Sequence, residues 1–343
     1  ETLTDALWSL TTLDLGFFRK IPTDVRFAVK QHDDDFILVR DHPELYRNHH
    51  VTRTSLLQAV SRLYDNGRTR VAASAEVTHG RIESDRLSNH AYTRWGAAAE
   101  IQQELRPGLQ LQGSLRLDHD SDWGARWTPG AGISYFLRPS VKLRAFCGQA
   151  FRAPTFTELY YQSPGNIGNP GLLPEESTTV EGGADWYPHP GLTVSFTLFR
   201  RWDRNLIDWV RNTPADPWQA VNIGTVDATG TSIQAAGTLP GGVRLQGGWS
   251  WHHLDPGELE YQPKYALDYA RHHVSTLATV PFGRGTRLSA ALQYKVRADG
   301  RSYAPASLEV LQGWRQLEFY ARVDNLLDQD YEEIPGVAMP GRF

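Results

Sequence analysis

Polar and apolar residues alternate one by one along most of this chain. In "GLQLQGSLRLD", Leu109, Leu111, Leu115 and Leu117 share a face with Gly113, while Gln110, Gln112, Ser114, Arg116 and Asp118 share the other. In "GVRLQGGWSWH", Val243, Leu245, Trp249 and Trp251 oppose Arg244, Gln246, Ser250 and His252. "TRLSAALQYKV" and "QLEFYARVD" repeat the pattern, setting Leu288, Leu292 and Tyr294 against Arg287 and Lys295, and Leu317 and Phe319 against Glu318 and Arg322. A period of two predicts β-strands with one apolar and one polar face. Two segments are ambiguous. "TSLLQAVSRLYDN" (54–66) also fits a helical stripe of Leu56, Leu57, Val60, Leu63 and Tyr64, and the opening "ETLTDALWSL" is equally two-sided. Both are read as strands because their neighbours alternate.

The connections come in two lengths. Short turns rich in Gly and Pro fall at 21–24, 65–68, 106–108, 138–140, 188–191, 240–242, 282–285 and 313–315. Long polar connections fall at 80–90, 118–126, 152–177, 253–269 and 325–340. Short turns at one end of a sheet and long loops at the other are the outer-membrane barrel pattern. The alternation yields about 16 full strands and a final stub at 341–343.

The fold class is therefore all-β, an antiparallel transmembrane β-barrel. Composition agrees with this. The 343 residues carry a formal charge of −4, so no basic excess marks nucleic acid as a partner. The single cysteine, Cys147, can form no intramolecular disulfide, and no multi-cysteine metal site exists. No apolar run is long enough for a transmembrane helix, a test that barrels pass because their lipid-facing residues alternate with polar ones. Trp249, Trp251, Phe319, Tyr294, Trp186 and Tyr187 end the apolar faces, as aromatics do at a membrane interface. The other face carries Arg116, Arg244, Arg287, Lys295, Glu318 and Arg322, charges that a small packed core could not bury unpaired. A soluble β-sandwich or propeller remains the competing architecture.

One excursion stands out: "FRAPTFTELYYQSPGNIGNPGLLPE", residues 151–175. It follows a strand that leaves the 138–140 turn, so it lies on the long-loop side. Arg152 and Pro154 end the pairing, and Arg152 has Glu158 and Glu175 as candidate partners. Tyr160, Tyr161, Asn166 and Asn169 offer aromatic faces and amides for a ligand mouth, the alternative being a purely loop-shaping role.

At this excursion the chain resembles the TonB-dependent outer-membrane receptor family, closest in look to the vitamin B12 and siderophore branch. The resemblance continues, in the family's order, through "LFRRWDRNLIDWV", "WQAVNIGTVDATGTSIQAAG", "YARHHVSTLATVPF" and "ARVDNLLDQDYEEIPGVAMPGRF". It implies a 22-stranded barrel with a plugged lumen. It makes Phe151, Arg152, Ala153, Pro154, Asn169, Pro170, Pro174, Glu175, Asn222, Gly224, Asn325 and Leu326 motif positions that shape the structure. It adds Trp209 and Trp218 to the ligand-facing candidates. The plug with its TonB box and roughly five strands are expected upstream, and the last strand should run about nine residues past Phe343. Residues 1–343 are thus expected to be one barrel domain, a fragment that does not close by itself. The implied partners are TonB through that plug, a bulky small-molecule ligand and outer-membrane lipid. The implied location is the bacterial outer membrane.

Among ligands, cobalamin and an iron–siderophore lead, with haem as an alternative weakened by the lack of histidine in 155–168. No cofactor is expected. The alternate carboxylates Asp118, Asp120 and Asp122 could hold loop calcium, which wants several oxygens, or could be a solvated polar loop. The pairs His49–His50, His252–His253 and His272–His273 point to opposite faces of a strand and chelate poorly. No GxSxG, HExxH or P-loop occurs, so no enzyme is expected. A passive porin-like channel and a barrel enzyme are the rivals from other classes.

Overall fold

The structure is a computed structural model that describes residues 2–14, 21–37, 39–283, 285–334 and 336–343. The main sheet has seventeen strands, one of them the two-residue strand Ser302–Tyr303, so sixteen long strands form the wall. They are β1 (Thr2–Asp14), β2 (Thr23–Ile37), β3 (Arg47–Asp65), β4 (Thr69–Ser84), β5 (His90–Arg106), β6 (Leu109–Asp120), β7 (Gly124–Arg138) and β8 (Val141–Arg152). The second half comprises β9 (Glu175–His189), β10 (Leu192–Arg204), β11 (Thr225–Thr238), β12 (Arg244–Asp255), β13 (Ala270–Phe282), β14 (Thr286–Arg297), β15 (Ala306–Trp314) and β16 (Leu317–Val323). Each pairs antiparallel with the next in sequence. Among the described residues, β1 and β16 are paired on one side only.

Both ambiguous segments are strands: 54–66 lies in β3 but for its last residue, and the described part of the opening is β1. The strand period won over the helical stripe because each residue from Arg47 to Ser61 finds a backbone partner on β2. Alternation sorts the side chains as expected. Leu115, Trp127, Ile133 and Leu143 stand exposed on the outer face. On the inner face, Arg116 bonds Glu76 and Asp118, and Arg144 pairs with Glu181 and Asp185. Such a continuous band of exposed large apolar side chains does not suit water. Its aromatics gather at two levels, Tyr64, Trp186, Phe282 and Trp314 by the short turns and Trp95, Trp127 and Tyr294 nearer the long loops.

Two connections and the chain end differ from expectation. The 118–126 segment is no long loop: Asp118 and Asp120 continue the ladder opposite Arg126 and Gly124, leaving a tight turn at 121–123. Gly124, at φ 68°, supplies its left-handed step. Residues 205–224 form a long outer loop that polarity did not reveal, because its strands Ile207–Arg211 and Trp218–Asn222 carry the apolar Ile207, Trp209, Val210, Trp218, Ala220 and Val221. The expected stub at 341–343 is not a strand. Phe343 instead exchanges backbone bonds with Asp324 in both directions, at 3.0 and 3.4 Å, one antiparallel step beyond β16. Arg284 of the 282–285 turn and Pro335 of the 325–340 loop lie outside the described residues, as does the approach to the 21–24 turn.

The long loops are woven together. A five-stranded sheet caps them in the order Gln262–Pro263, Ile207–Arg211, Trp218–Asn222, Asn166–Ile167, Gln162–Ser163. Apolar packing sits on this cap, in the clusters Leu172/Ile207/Ala220 and Val210/Ile223/Val226.

Candidate functional site

Strand β8 ends at Arg152, and the site begins there. Its guanidinium donates to both oxygens of Glu175, Nε to Oε2 at 2.5 Å and Nη2 to Oε1 at 2.7 Å. Nη1 and Nη2 each donate to Glu158 at 3.0 Å. Glu175 opens β9, and its Oε1 also accepts the Ile207 amide at 2.8 Å. Glu158 belongs to the short helix α1 (Phe156–Tyr160) and closes a capping box with Thr155. One planar fork therefore joins the rising strand, the helix, the falling strand and the cap sheet.

Burial raises the Glu158 carboxyl, but the Arg152 bonds and the Thr155 donors together outweigh it and hold the group below its ordinary 4.5. A depressed folded pKa means stabilisation that is fully present above 4.5 and lost as pH falls through the folded value. The arch is thus expected to keep its near-ultraviolet circular dichroism from neutral pH down to that value. Below it the signal should fade, and Glu158→Gln should abolish the transition.

Gly168 closes the arch. A Cβ there would sit 2.7 Å from the Tyr161 nitrogen and 2.9 Å from the Leu159 carbonyl carbon, both backbone atoms that cannot rotate away. Gly168→Ala is expected to cost about 2 kcal/mol. The readout is protease cleavage within 161–169, and cleavage at the parental rate would contradict the packing argument.

Beneath the arch lies a cavity of about 890 Å³. Ala153, Pro154, Phe156, Leu159, Tyr160, Pro170 and Leu172 face it from the arch, and Thr52, Thr54, Tyr92, Arg94, Asp120 and Trp123 from β3, β5, β6 and the β6–β7 turn. Tyr160 stacks on His90, centroids 3.6 Å apart and planes 4° from parallel. Phe156 packs beside both, and Arg94 lies over the rings of Tyr92 and Trp123. Phe151 packs its edge on Trp123.

The other candidates separate by role. Tyr161 does not line the cavity: its hydroxyl is 2.7 Å from that of Tyr46, and burial followed by that bond pushes Tyr46 up to about 12. Asn169 shapes the loop, accepting the Gly171 amide at 2.8 Å. Pro174 is fully buried. Asn222 stitches two loops, bonding both backbone groups of Leu173 and the Asn205 carbonyl. Gly224, at φ 86°, ends the cap strand. Asn325 is buried and pins Gln329 and Pro340, while Leu326 stays exposed.

Asn166, Trp209 and Trp218 all sit on the cap sheet. Asn166 is the register partner of Trp218. Trp218 is flanked by the Arg211 guanidinium at 4.2 Å and the Lys264 ammonium at 5.2 Å, and Trp209 packs on the Leu172 cluster. The carboxylates Asp118, Asp120 and Asp122 do not converge. Arg116 holds both oxygens of Asp118, and Asp120 takes Arg94 and the Asp122 amide. They do not fit a calcium ion as arranged, and among the described residues no three His, Cys, Asp or Glu side chains group to hold a metal.

Sequence reasoning missed the far wall of the cavity. Its signal was present in Tyr92 and Arg94, alternate inward positions of β5 near the loop end. It also missed Asp208, an acid inside the apolar run "LIDWV" that is almost wholly buried.

A wall of sixteen antiparallel strands with an apolar outside, charged inside and one end roofed by knitted loops defines an outer-membrane β-barrel. The family model described as TonB dependent receptor-like, beta-barrel matches residues 11–338, and the chain belongs to that family. It is similar to the vitamin B12 transporter BtuB of Vibrio vulnificus (strain YJ016), 28% identical over 294 residues, covering 83% of this chain and 45% of that protein. It is 32% identical over 144 residues to the ferric enterobactin receptor of Pseudomonas aeruginosa, covering 38% and 19% respectively. The siderophore receptor PirA from Pseudomonas aeruginosa superposes with a TM-score of 0.77 at 17% identity, over 99% of this chain and 62% of that one. The chain thus spans less than half of the BtuB relative and about three-fifths of the PirA chain. Its place is the bacterial outer membrane, in a family of receptors and transporters.

Proposed function

We propose that this barrel belongs to a receptor that imports a scarce, bulky nutrient, cobalamin or an iron–siderophore, with energy supplied through TonB. The observation that carries this reading is the mouth: a cavity of about 890 Å³ under the 153–174 arch, lined by aromatic rings with a few placed charges. Ligand pockets are typically lined by apolar and aromatic side chains with a few placed polar groups. The work is binding and gating, without covalent chemistry. Support comes from relatives named as vitamin B12 and ferric enterobactin proteins. The test is uptake of radiolabelled cyanocobalamin and ferric enterobactin by cells with and without the full receptor, in TonB-competent and TonB-deficient backgrounds. Receptor-dependent uptake of either that vanishes without TonB supports the reading. Receptor-dependent flux that persists without TonB makes the barrel a passive channel.

A further inference from the structure

The wall has a seam near the mouth. The ladder between β7 and β8 runs from Arg138 opposite Val141 up to Gly130 opposite Gly148, and stops there. The next residue of β7 is Pro129, whose nitrogen carries no hydrogen to donate. Above that rung, Gly124 to Pro129 pair with β6 and Gln149 to Arg152 pair with β9. On the sides that face each other, the two stretches share no ladder pair among the described residues. Unpaired backbone groups are costly in hydrocarbon, so this part of the wall stands in water, from the level of Trp127 upward.

The seam divides the mouth. Tyr92, Arg94, Asp120 and Trp123 face the cavity of about 890 Å³ from one side, and Phe151 and the arch from the other. Above the Gly130 rung the described residues of the two sides meet through side chains alone. Phe151 packs its edge on Trp123, Tyr160 and Phe156 lie against His90 and Tyr92, and the Tyr46 and Tyr161 hydroxyls meet at 2.7 Å. Arg126 comes within 3.1 Å of Glu176, yet its Nε is buried without an aligned hydrogen bond. The arch, by contrast, is bonded through backbone to the cap, where the Gly165 carbonyl accepts the Trp218 amide at 2.9 Å. A second cavity of about 280 Å³ runs along the seam, lined by Ala125, Trp127, Gln149 and Phe151 among others. Phe151 lines both cavities, so its ring is the partition between them.

Parting the two sides breaks ring contacts, one hydroxyl pair and one misaligned ion pair, and leaves every ladder intact. Openings of this kind belong to the low-stability end of a fold's motions. We infer that the seam is a side gate to the cavity, with Phe151 as its bolt. Phe151 leaves Trp123, Glu176 parts from Arg126, and the arch moves off β5 with the tips of β8 and β9. The turn is made about the Gly130–Gly148 rung, a strand position free of side chains. A ligand enters between the two sides and is enclosed as they close. The inference rests on the import reading for what passes the gate, and the motion is testable without it.

The test uses the full receptor, purified, with Cys147→Ser removing the native thiol. Spin labels go on the exposed positions Asn89→Cys, beside β5, and Gln162→Cys, on the arch. Their separation is read by double electron–electron resonance, and heat-modifiable mobility on gels confirms that each variant is a folded barrel. A longer distance is expected beside the closed one. Its share relative to the closed one should rise about tenfold in Phe151→Ala, the worth of one aromatic pair, and less in Glu176→Gln. A single distance, or two whose ratio neither substitution moves, overturns the gate. In a second arm, Thr128→Cys and Ala150→Cys, both lining the seam, are joined by dibromobimane, which fluoresces only when both thiols have reacted. A seam pair that gives no such fluorescence overturns the closed state. The linked receptor is expected to bind cyanocobalamin or ferric enterobactin about tenfold more slowly than the unlinked one. Ala131→Cys joined to the native Cys147, a rung inside the ladder, should leave the rate unchanged. Equal association rates with the seam linked overturn the gate. Failure of the import reading shows separately, as two label distances that respond to Phe151→Ala in a receptor that binds neither probe.

Discussion

Replacing Arg152 by alanine is expected to release the whole arch from 153 to 174. The side chain makes four bonds to two carboxylates, and Glu158 and Glu175 are each only about one-sixth exposed. Removing the cation leaves two largely buried acids facing each other, which costs more than the pair contributed. Arg152 itself is 43% exposed, so solvent screens part of the loss. The net local cost is about 3 kcal/mol, which corresponds to roughly hundredfold faster amide exchange through the arch. Arg152→Lys should recover less than half of this, since an ammonium cannot present a fork to both acids at once. Because Tyr160, Pro170 and Leu172 line the cavity from this arch, ligand affinity should fall with it. Unchanged exchange in the alanine variant would show that the capping box and Gly168 hold the arch without the cation.

The wall was legible in the sequence because its rule is local. Lipid on one side and a polar lumen on the other force a period of two, and a strand read in isolation already shows it, as β6 and β14 do. The ends of strands were less legible. Asp118 to Arg126 looks like a polar loop, yet most of it is ladder, because inward-facing strand residues near the mouth are as polar as loop residues. The reverse error hid 205–224, where apolar residues belong to a loop that packs on other loops. Of the candidate contacts, Tyr160 could be placed because its motif fixes the arch. Tyr161 could not, since the neighbour that claims its hydroxyl, Tyr46, is 115 residues away in sequence. The aromatic rings opposite Tyr160 come from β5 and the β6–β7 turn, and only the curvature of the sheet brings them across. Loop-to-loop pairing is the general difficulty: the cap sheet joins segments from three loops, and its shortest strands are two residues long.

That cap makes the loops one body, and its central clamp is Asp208. The carboxylate is almost wholly buried and accepts three successive backbone N–H groups from another loop, those of Lys264, Tyr265 and Ala266, at 2.9–3.1 Å. Consecutive amides turned toward one anion form a nest, and here the anion is part of the chain. Its Oδ1 also takes the Trp209 amide at 2.7 Å. Asp208→Ala leaves these donors without an acceptor, at a local cost of about 3 kcal/mol once entering water compensates in part. Amide exchange at 264–266 should then accelerate about a hundredfold. Asp208→Asn keeps one carbonyl acceptor and should fall between. Asp216→Ala serves as the control, because Asp216 binds only Thr213 within its own loop and should leave 264–266 untouched. Release of this loop withdraws Lys264 from Trp218 and opens the Val210 cluster, on which Tyr261, Ala266 and Leu267 pack. The roof then loses the 256–269 loop, and a ligand must pay the entropy of ordering it on arrival. Affinity should therefore drop in Asp208→Ala even though Asp208 itself is sealed from any ligand. Parental exchange at 264–266 in that variant would mean that the apolar clusters, and not the buried carboxylate, hold the roof together.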